Sequence, residues 1–283
     1  MPTEFHSFKR LVLGLQPNAA DRAMRLAVEV AHMLQLELLG LFLEDTSLHD
    51  LANVPFAREF RPLGGGWHPL DPGRLLHEFE IAARNAERMF IEAARGLPTR
   101  YQFEVIRGST AETIASISRR GDIVMIVAPA SPAERATQQF SWLIEAAFQS
   151  AAAVMLVPPS ITRARGPVVA IATAADDPSI QIAAAIAIAA GEDLIVLEAD
   201  HGDADDPCLR KFAADAGLTI HHFAAGRRPI LDPNVLAQVL HQPRERLVVI
   251  SRSRLANEAA LPIATARRVP VLLVGPAASA AED

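Results

Sequence analysis

The chain has 283 residues, half of them hydrophobic, with 27 basic and 33 acidic residues and a net charge of −6. That length supports two domains, each with its own core, and the apolar content excludes disorder as the default state. The acidic balance argues against nucleic acid, which requires cations to displace phosphate counterions, and the lone Cys208 excludes an intramolecular disulfide.

Met1 to Arg10 is mixed and polar, without the apolar core of a signal peptide. Arg10 to Leu15 (RLVLGL) reads as a buried strand, followed by a turn at Gln16-Pro17-Asn18 and a helix from Asp21 to Gln35. Leu36 to Leu43 is a second strand. Asp45 to Gly73 is an irregular insert, and Arg74 to Arg95 is a helix stopped by Gly96. Tyr101 to Ile106 alternates as a strand nearer an edge does, and Thr110 to Arg120 is a short helix. Asp122 to Val127 (DIVMIV) is a fully apolar strand, Ser141 to Ser150 a helix, and Ala153 to Val157 (AVMLV) a closing strand.

After the Pro-flanked linker Pro158 to Pro167 the same course repeats. Strands are expected at Val168–Thr173, Asp193–Glu198, Leu218–Phe223, Arg246–Ile250 and Val269–Val274. Helices are expected at Pro178–Ala190, Asp206–Ala216, Pro233–His241 and Asn257–Arg267. Strands alternating with helices imply right-handed crossovers and a parallel, doubly wound sheet. The expected fold is therefore α/β, with two tandem five-stranded parallel sheets. Residues 1–159 form one domain, carrying the insert 45–73, and residues 167–276 form the other. The longest apolar stretch, Ile182 to Ala190, is far shorter than the roughly 20 residues of a membrane span. A soluble, cytoplasmic protein with neither membrane nor nucleic-acid partner is expected.

Val105 to Val127, VIRGSTAETIASISRRGDIVMIV, resembles the universal stress protein pattern of a valine-rich strand, glycine, short helix and acid-led apolar strand. AVMLVPP and VPVLLVGP resemble that family's closing strand, and Gly226 with Leu247 to Ile250 are the second copy's counterparts. The resemblance implies a cytoplasmic stress-response protein whose domains pair through their last strands within the chain, with two chains forming a homodimer.

In such sheets ligands sit beyond the carboxyl ends of strands one and four, where strand order reverses. ATP-binding relatives carry a glycine-rich loop after strand four, whose N–H groups approach the phosphates, then a Gly-Ser pair. Here strand one ends in Gly14-Leu15-Gln16 without an acid, and Ala128-Pro129-Ala130-Ser131-Pro132 replaces the loop. Only Ser141 survives from the pair, and the second copy offers Ser251-Arg252-Ser253-Arg254. Prolines have no N–H to donate, and alanine resists the left-handed backbone that glycine adopts. Gly14, Gln16, Ala128, Ser131, Ser141, Ser251, Arg252 and Ser253 are therefore the crevice candidates, with no cofactor expected and ATP as the group such a crevice would take. The expected function is non-catalytic regulation or scaffolding. The alternative is a nucleotide- or anion-binding stress sensor with a non-standard pocket, in which Arg252 or Arg254 attracts the anion.

No G-x-S-x-G elbow supports a hydrolase triad. His221 and His222 point to opposite faces of a strand and chelate poorly. Asp203, Asp205 and Asp206 lack the EF-hand pattern, and Cys208 lacks a CxxC partner. The insert admits two readings: a flap tucked over the domain's own crevice, or a lid that meets a ligand or a protein partner.

Overall fold

The computed structural model describes residues 8–15, 21–45, 50, 53–54, 56–61, 66–108, 113, 116, 119, 121–136, 138–150, 152–161, 163, 165–172, 177–198, 214, 217–224, 231–240 and 244–275. The first half runs β1 (Arg10–Leu15), α1 (Asp21–Met33), β2 (Glu37–Asp45), β3 (Arg58–Arg61), β4 (Gly66–Pro69) and α2 (Pro72–Ala94). It continues with β5 (Tyr101–Gly108), β6 (Asp122–Val127), the single turn α3 (Pro132–Arg135), α4 (Gln138–Gln149) and β7 (Ala153–Val157). The second half runs β8 (Val168–Ala172), α5 (Pro178–Ala190), β9 (Leu194–Glu198) and β10 (Ile220–Ala224). It ends with α6 (Pro233–Val239), β11 (Leu247–Ser251), α7 (Arg254–Arg267) and β12 (Val271–Val274).

Each half is a parallel sheet of identical strand order, β5-β2-β1-β6-β7 and β10-β9-β8-β11-β12. The final strands β7 and β12 pair antiparallel, with Leu272 opposite Met155, so the two halves form one continuous 10-stranded sheet. Two isolated sheets would each leave an apolar last strand with unpaired backbone, and joining them removes both edges. Because β7 and β12 are antiparallel, β7 ends beside the start of β12, and the short segment 158–167 suffices to reach β8.

Period-two alternation divides the core between the two faces of the sheet. Leu11, Leu13, Met125, Met155, Val168 and Ala170 pack with α1, α2 and α5 on one face. Val12, Val124, Val154, Val169 and Ile171 pack with α4, α6 and α7 on the other. Both apolar layers cross the β7–β12 junction, which explains why the central strands read as continuous hydrophobic runs. Gly40 on β2 is required by close approach: a Cβ there would lie 2.7 Å from the Phe90 ring of α2. That ring in turn meets Phe103 at a centroid distance of 5.6 Å.

Element boundaries move where caps decide them. The Asp71 carboxylate accepts from the Gly73 N–H at 2.9 Å and starts α2 at Pro72, inside the stretch read as insert. Ser253 Oγ accepts from the Ala256 N–H at 3.1 Å and starts α7 at Arg254, a turn earlier than its apolar pattern. The insert is not wholly irregular, because β3 and β4 form an antiparallel hairpin. The expected helices at 110–120 and 206–216 fall mostly outside the described residues. Among the described residues no helix is long and apolar enough to cross a membrane.

Candidate functional site

The crevice of the second half lies beyond the carboxyl ends of β8 and β11. Asp177, buried, caps α5 by accepting from the Ser179 N–H at 2.9 Å. The same carboxylate oxygen accepts from the Ser251 hydroxyl, closing a link between the two strand ends. Ser179 Oγ donates to the Ile171 carbonyl at 3.2 Å, and Ser253 is occupied as the cap of α7.

Arg252, one of the crevice candidates, is bonded within the protein. Its Nη1 donates to the Ser150 carbonyl at 2.8 Å and the Phe148 carbonyl at 3.3 Å, and its Nη2 donates to the Ala152 carbonyl. Those carbonyls belong to the end of α4 and the approach to β7, where a helix leaves acceptors without intrahelical donors. A cation there also complements the helix dipole. Burial pushes the guanidinium pKa below its ordinary value, and Nε is buried without a partner. This side chain ties the second half to the first. The side chain of Arg254 lies outside the described residues.

The first half repeats this frame with different contents. Ala128 donates its N–H to the Val157 carbonyl at 2.8 Å, as Arg252 donates its own to Val274 at 2.6 Å. Ala128 is buried and supplies no side-chain donor. Ser131 occupies the cap position of α3 without a side-chain capping bond. Arg135 Nη1 donates to the carbonyls of Pro129 and Ala130 at 2.7 and 2.9 Å, so a guanidinium holds the loop through its acceptors. Ser141 is exposed on α4. Gly14 is half-buried opposite Leu41, and a Cβ there would enter open space. Gln16 lies outside the described residues.

Sequence reasoning did not single out Arg135, Glu44 or the pairing of Asp177 with Ser251. Glu44, buried near the end of β2, accepts from Arg107 Nε at 2.8 Å. Asp177 was visible only as the opener of a helix, and its partner is 74 residues distant. Asp122, quoted for the family likeness, is a structural clip at the start of β6. It pairs with Arg10 at 2.6 Å and accepts from the Arg119 N–H at 2.9 Å. His221 is exposed, with Nε2 3.9 Å from an Asp193 oxygen. Among the described residues no three His, Cys, Asp or Glu side chains cluster as a metal site. Cys208, Asp203, Asp205, Asp206 and Gly226 lie outside the described residues.

The hairpin places Phe60 opposite Trp67, with ring centroids 5.5 Å apart. Phe60 is 57% exposed, Trp67 61% and the neighbouring Phe56 96%. Arg74 at the start of α2 holds the hairpin through Glu59. The described aromatic side chains of the insert thus face solvent rather than a crevice. Leu48, Leu51 and Leu63 lie outside the described residues.

No protein-family model and no curated protein matches the sequence. Solved structures do match. The chain is similar to a universal stress protein from Archaeoglobus fulgidus, with a TM-score of 0.64 at 11% identity, covering 96% of this chain and 98% of that one. A functionally unknown protein from Pseudomonas aeruginosa aligns with a TM-score of 0.51 at 16% identity, over 96% of this chain and 94% of that one. A putative universal stress protein from the same species aligns at 0.50 and 15%, over 97% and 95% of the two chains. At nearly full length in both directions, this chain has the fold of a universal stress protein.

Proposed function

We propose that the protein is a non-catalytic regulatory or scaffolding protein of the universal stress protein type, which meets a protein partner through the β3–β4 hairpin. One observation supports this reading: the described charged groups at the two strand-end crevices are engaged within the protein. Asp177 and Ser251 bond each other, Arg252 bonds carbonyls, and Arg135 bonds the loop that would cradle phosphate. A triphosphate needs converging donors, and residues 128–132 hold no glycine and two prolines. Each charge-assisted hydrogen bond is worth about 1.5–3 kcal/mol. Two missing donors therefore turn a micromolar site into roughly a millimolar one. The described residues of the two crevices therefore favour a protein that does not hold ATP there. The exposed Phe56, Phe60 and Trp67 offer instead the rigid aromatic surface that protein interfaces favour. The lone Cys208 favours a cytoplasmic setting, and the resemblance favours a homodimer, which sedimentation velocity checks.

The open space above Gly14 favours the second reading, a nucleotide- or anion-binding sensor. A photoreactive ATP analogue separates the two. The scaffolding reading expects no label in peptides 128–136 or 251–256 and no Mg-ATP turnover. Label in either peptide, or turnover, overturns it.

A further inference from the structure

We infer that the amino-terminal end of the second half-sheet is a binding site for a phosphate chain, built by Arg163, Arg244, Arg267 and Arg268. This goes beyond the proposed function and does not depend on the strand-end crevices. Three separate segments meet there: the linker, the approach to β11 and the end of α7. With Ala266, the four arginines line an open depression of about 460 Å³.

Glu245, fully buried, anchors two of the four. It accepts from Arg267 Nε at 2.6 Å and Nη2 at 2.9 Å, and from Arg163 Nη1 at 3.3 Å. Arg267 also reaches the Leu240 carbonyl at 3.1 Å. Among the described residues of the depression, four guanidiniums face one carboxylate, a local balance of +3 in a chain whose net charge is −6. Arg244 and Arg268 are exposed, and among the described residues neither makes a side-chain hydrogen bond or ion pair.

Their backbones are fixed nonetheless. Arg268 holds the left-handed position after α7, with φ 56°. Gly166, at φ 132°, backs directly on Arg244: a Cβ there would lie 2.0 Å from the Arg244 carbonyl oxygen. The Arg246 N–H donates to the Pro167 carbonyl at 3.0 Å, locking the same crossing. A helix C-terminus accounts for a cation in its own last turn. It does not account for Arg163 and Arg244, which arrive from other segments.

The lining identifies the ligand chemistry. Planar guanidinium forks match phosphate oxygens bidentately. Among the described lining residues Ala266 is the one apolar side chain, and none of them presents an aromatic face on which a base would stack. Recognition is therefore of closely spaced anionic oxygens, as in an oligophosphate, whether free or carried by a nucleotide.

Calorimetric titration of the full chain with tripolyphosphate at low salt tests this, with ATP and oligoglutamate as parallel titrants. Tripolyphosphate is expected to bind and to weaken as salt rises. Replacing both unpartnered cations (Arg244→Gln with Arg268→Gln) is expected to weaken it by about tenfold or more. The same charge change on α2, Arg84→Gln with Arg88→Gln, is expected to leave it unchanged. ATP binding as tightly as tripolyphosphate assigns the phosphates of a nucleotide, and markedly weaker ATP assigns a free oligophosphate. No tripolyphosphate binding at low salt, equal loss in both double variants, or tighter oligoglutamate binding overturns the site. Photoreactive ATP held here labels peptides around 163–168 and 244–246, distinct from the crevice peptides, so the two readings fail separately.

Discussion

The two ends of the second half-sheet carry similar polar residues and use them in opposite ways. At the carboxyl end Asp177, Ser251, Arg252 and Ser253 are bonded within the protein. At the amino end Glu245 engages two arginines, and among the described residues Arg244 and Arg268 have no side-chain partner. An arginine at a strand end therefore says nothing about ligands until its donors are followed to their acceptors. Arg252, at the place where such folds hold ligands, has three carbonyls to satisfy. Arg268, away from that place, has none among the described residues.

Substitutions at the two ends sharpen this contrast. The largest effect is expected at the amino end: Glu245→Ala leaves two guanidiniums without their carboxylate and costs about 3–5 kcal/mol. Urea denaturation measures it, and a loss below about 1 kcal/mol would mean that the arginines find water instead. Arg252→Ala removes the donor from carbonyls at the junction of the halves, and is expected to cost about 2–3 kcal/mol. Gly166→Ala forces a Cβ onto the Arg244 carbonyl at an unfavourable φ, with an expected loss of about 1–3 kcal/mol. It should also move Arg244 and weaken tripolyphosphate binding, and a variant that kept both stability and binding would break the packing account. Phe60→Ser with Trp67→Ser is expected to change stability by no more than about 0.5 kcal/mol, because both rings face solvent. With Trp142 replaced by Phe, Trp67 should emit as a water-exposed indole, whereas a blue-shifted spectrum would restore the tucked flap.

Much of the fold was legible because buried parallel strands announce themselves. RLVLGL, DIVMIV, AVMLV and VVAIA each became a strand within a residue of its expected bounds. The hairpin was not legible, since Arg58–Arg61 is too short and polar to show a period. The candidate site was legible only as a position. The sequence placed both loops just after the fourth strands, starting at Ala128 and Ser251, and the structure makes Ala128 and Arg252 the equivalent positions, each donating its N–H to the last residue of its half's final strand. What Arg252 bonds did not follow, because its acceptors lie about a hundred residues earlier and meet it only through the antiparallel β7–β12 junction. The amino-end arginines were hidden for the same reason: Arg163, Arg244 and Arg267 are ordinary surface cations until Glu245 is seen between them.

The most direct test pairs two measurements on one variant, Arg252→Ala. If Arg252 is a structural tie between halves, the urea midpoint falls while the Mg-ATP titration superimposes on that of the unaltered protein. If Arg252 belongs to a nucleotide site, the midpoint holds and any Mg-ATP binding is lost, which would contradict the account given for both crevices.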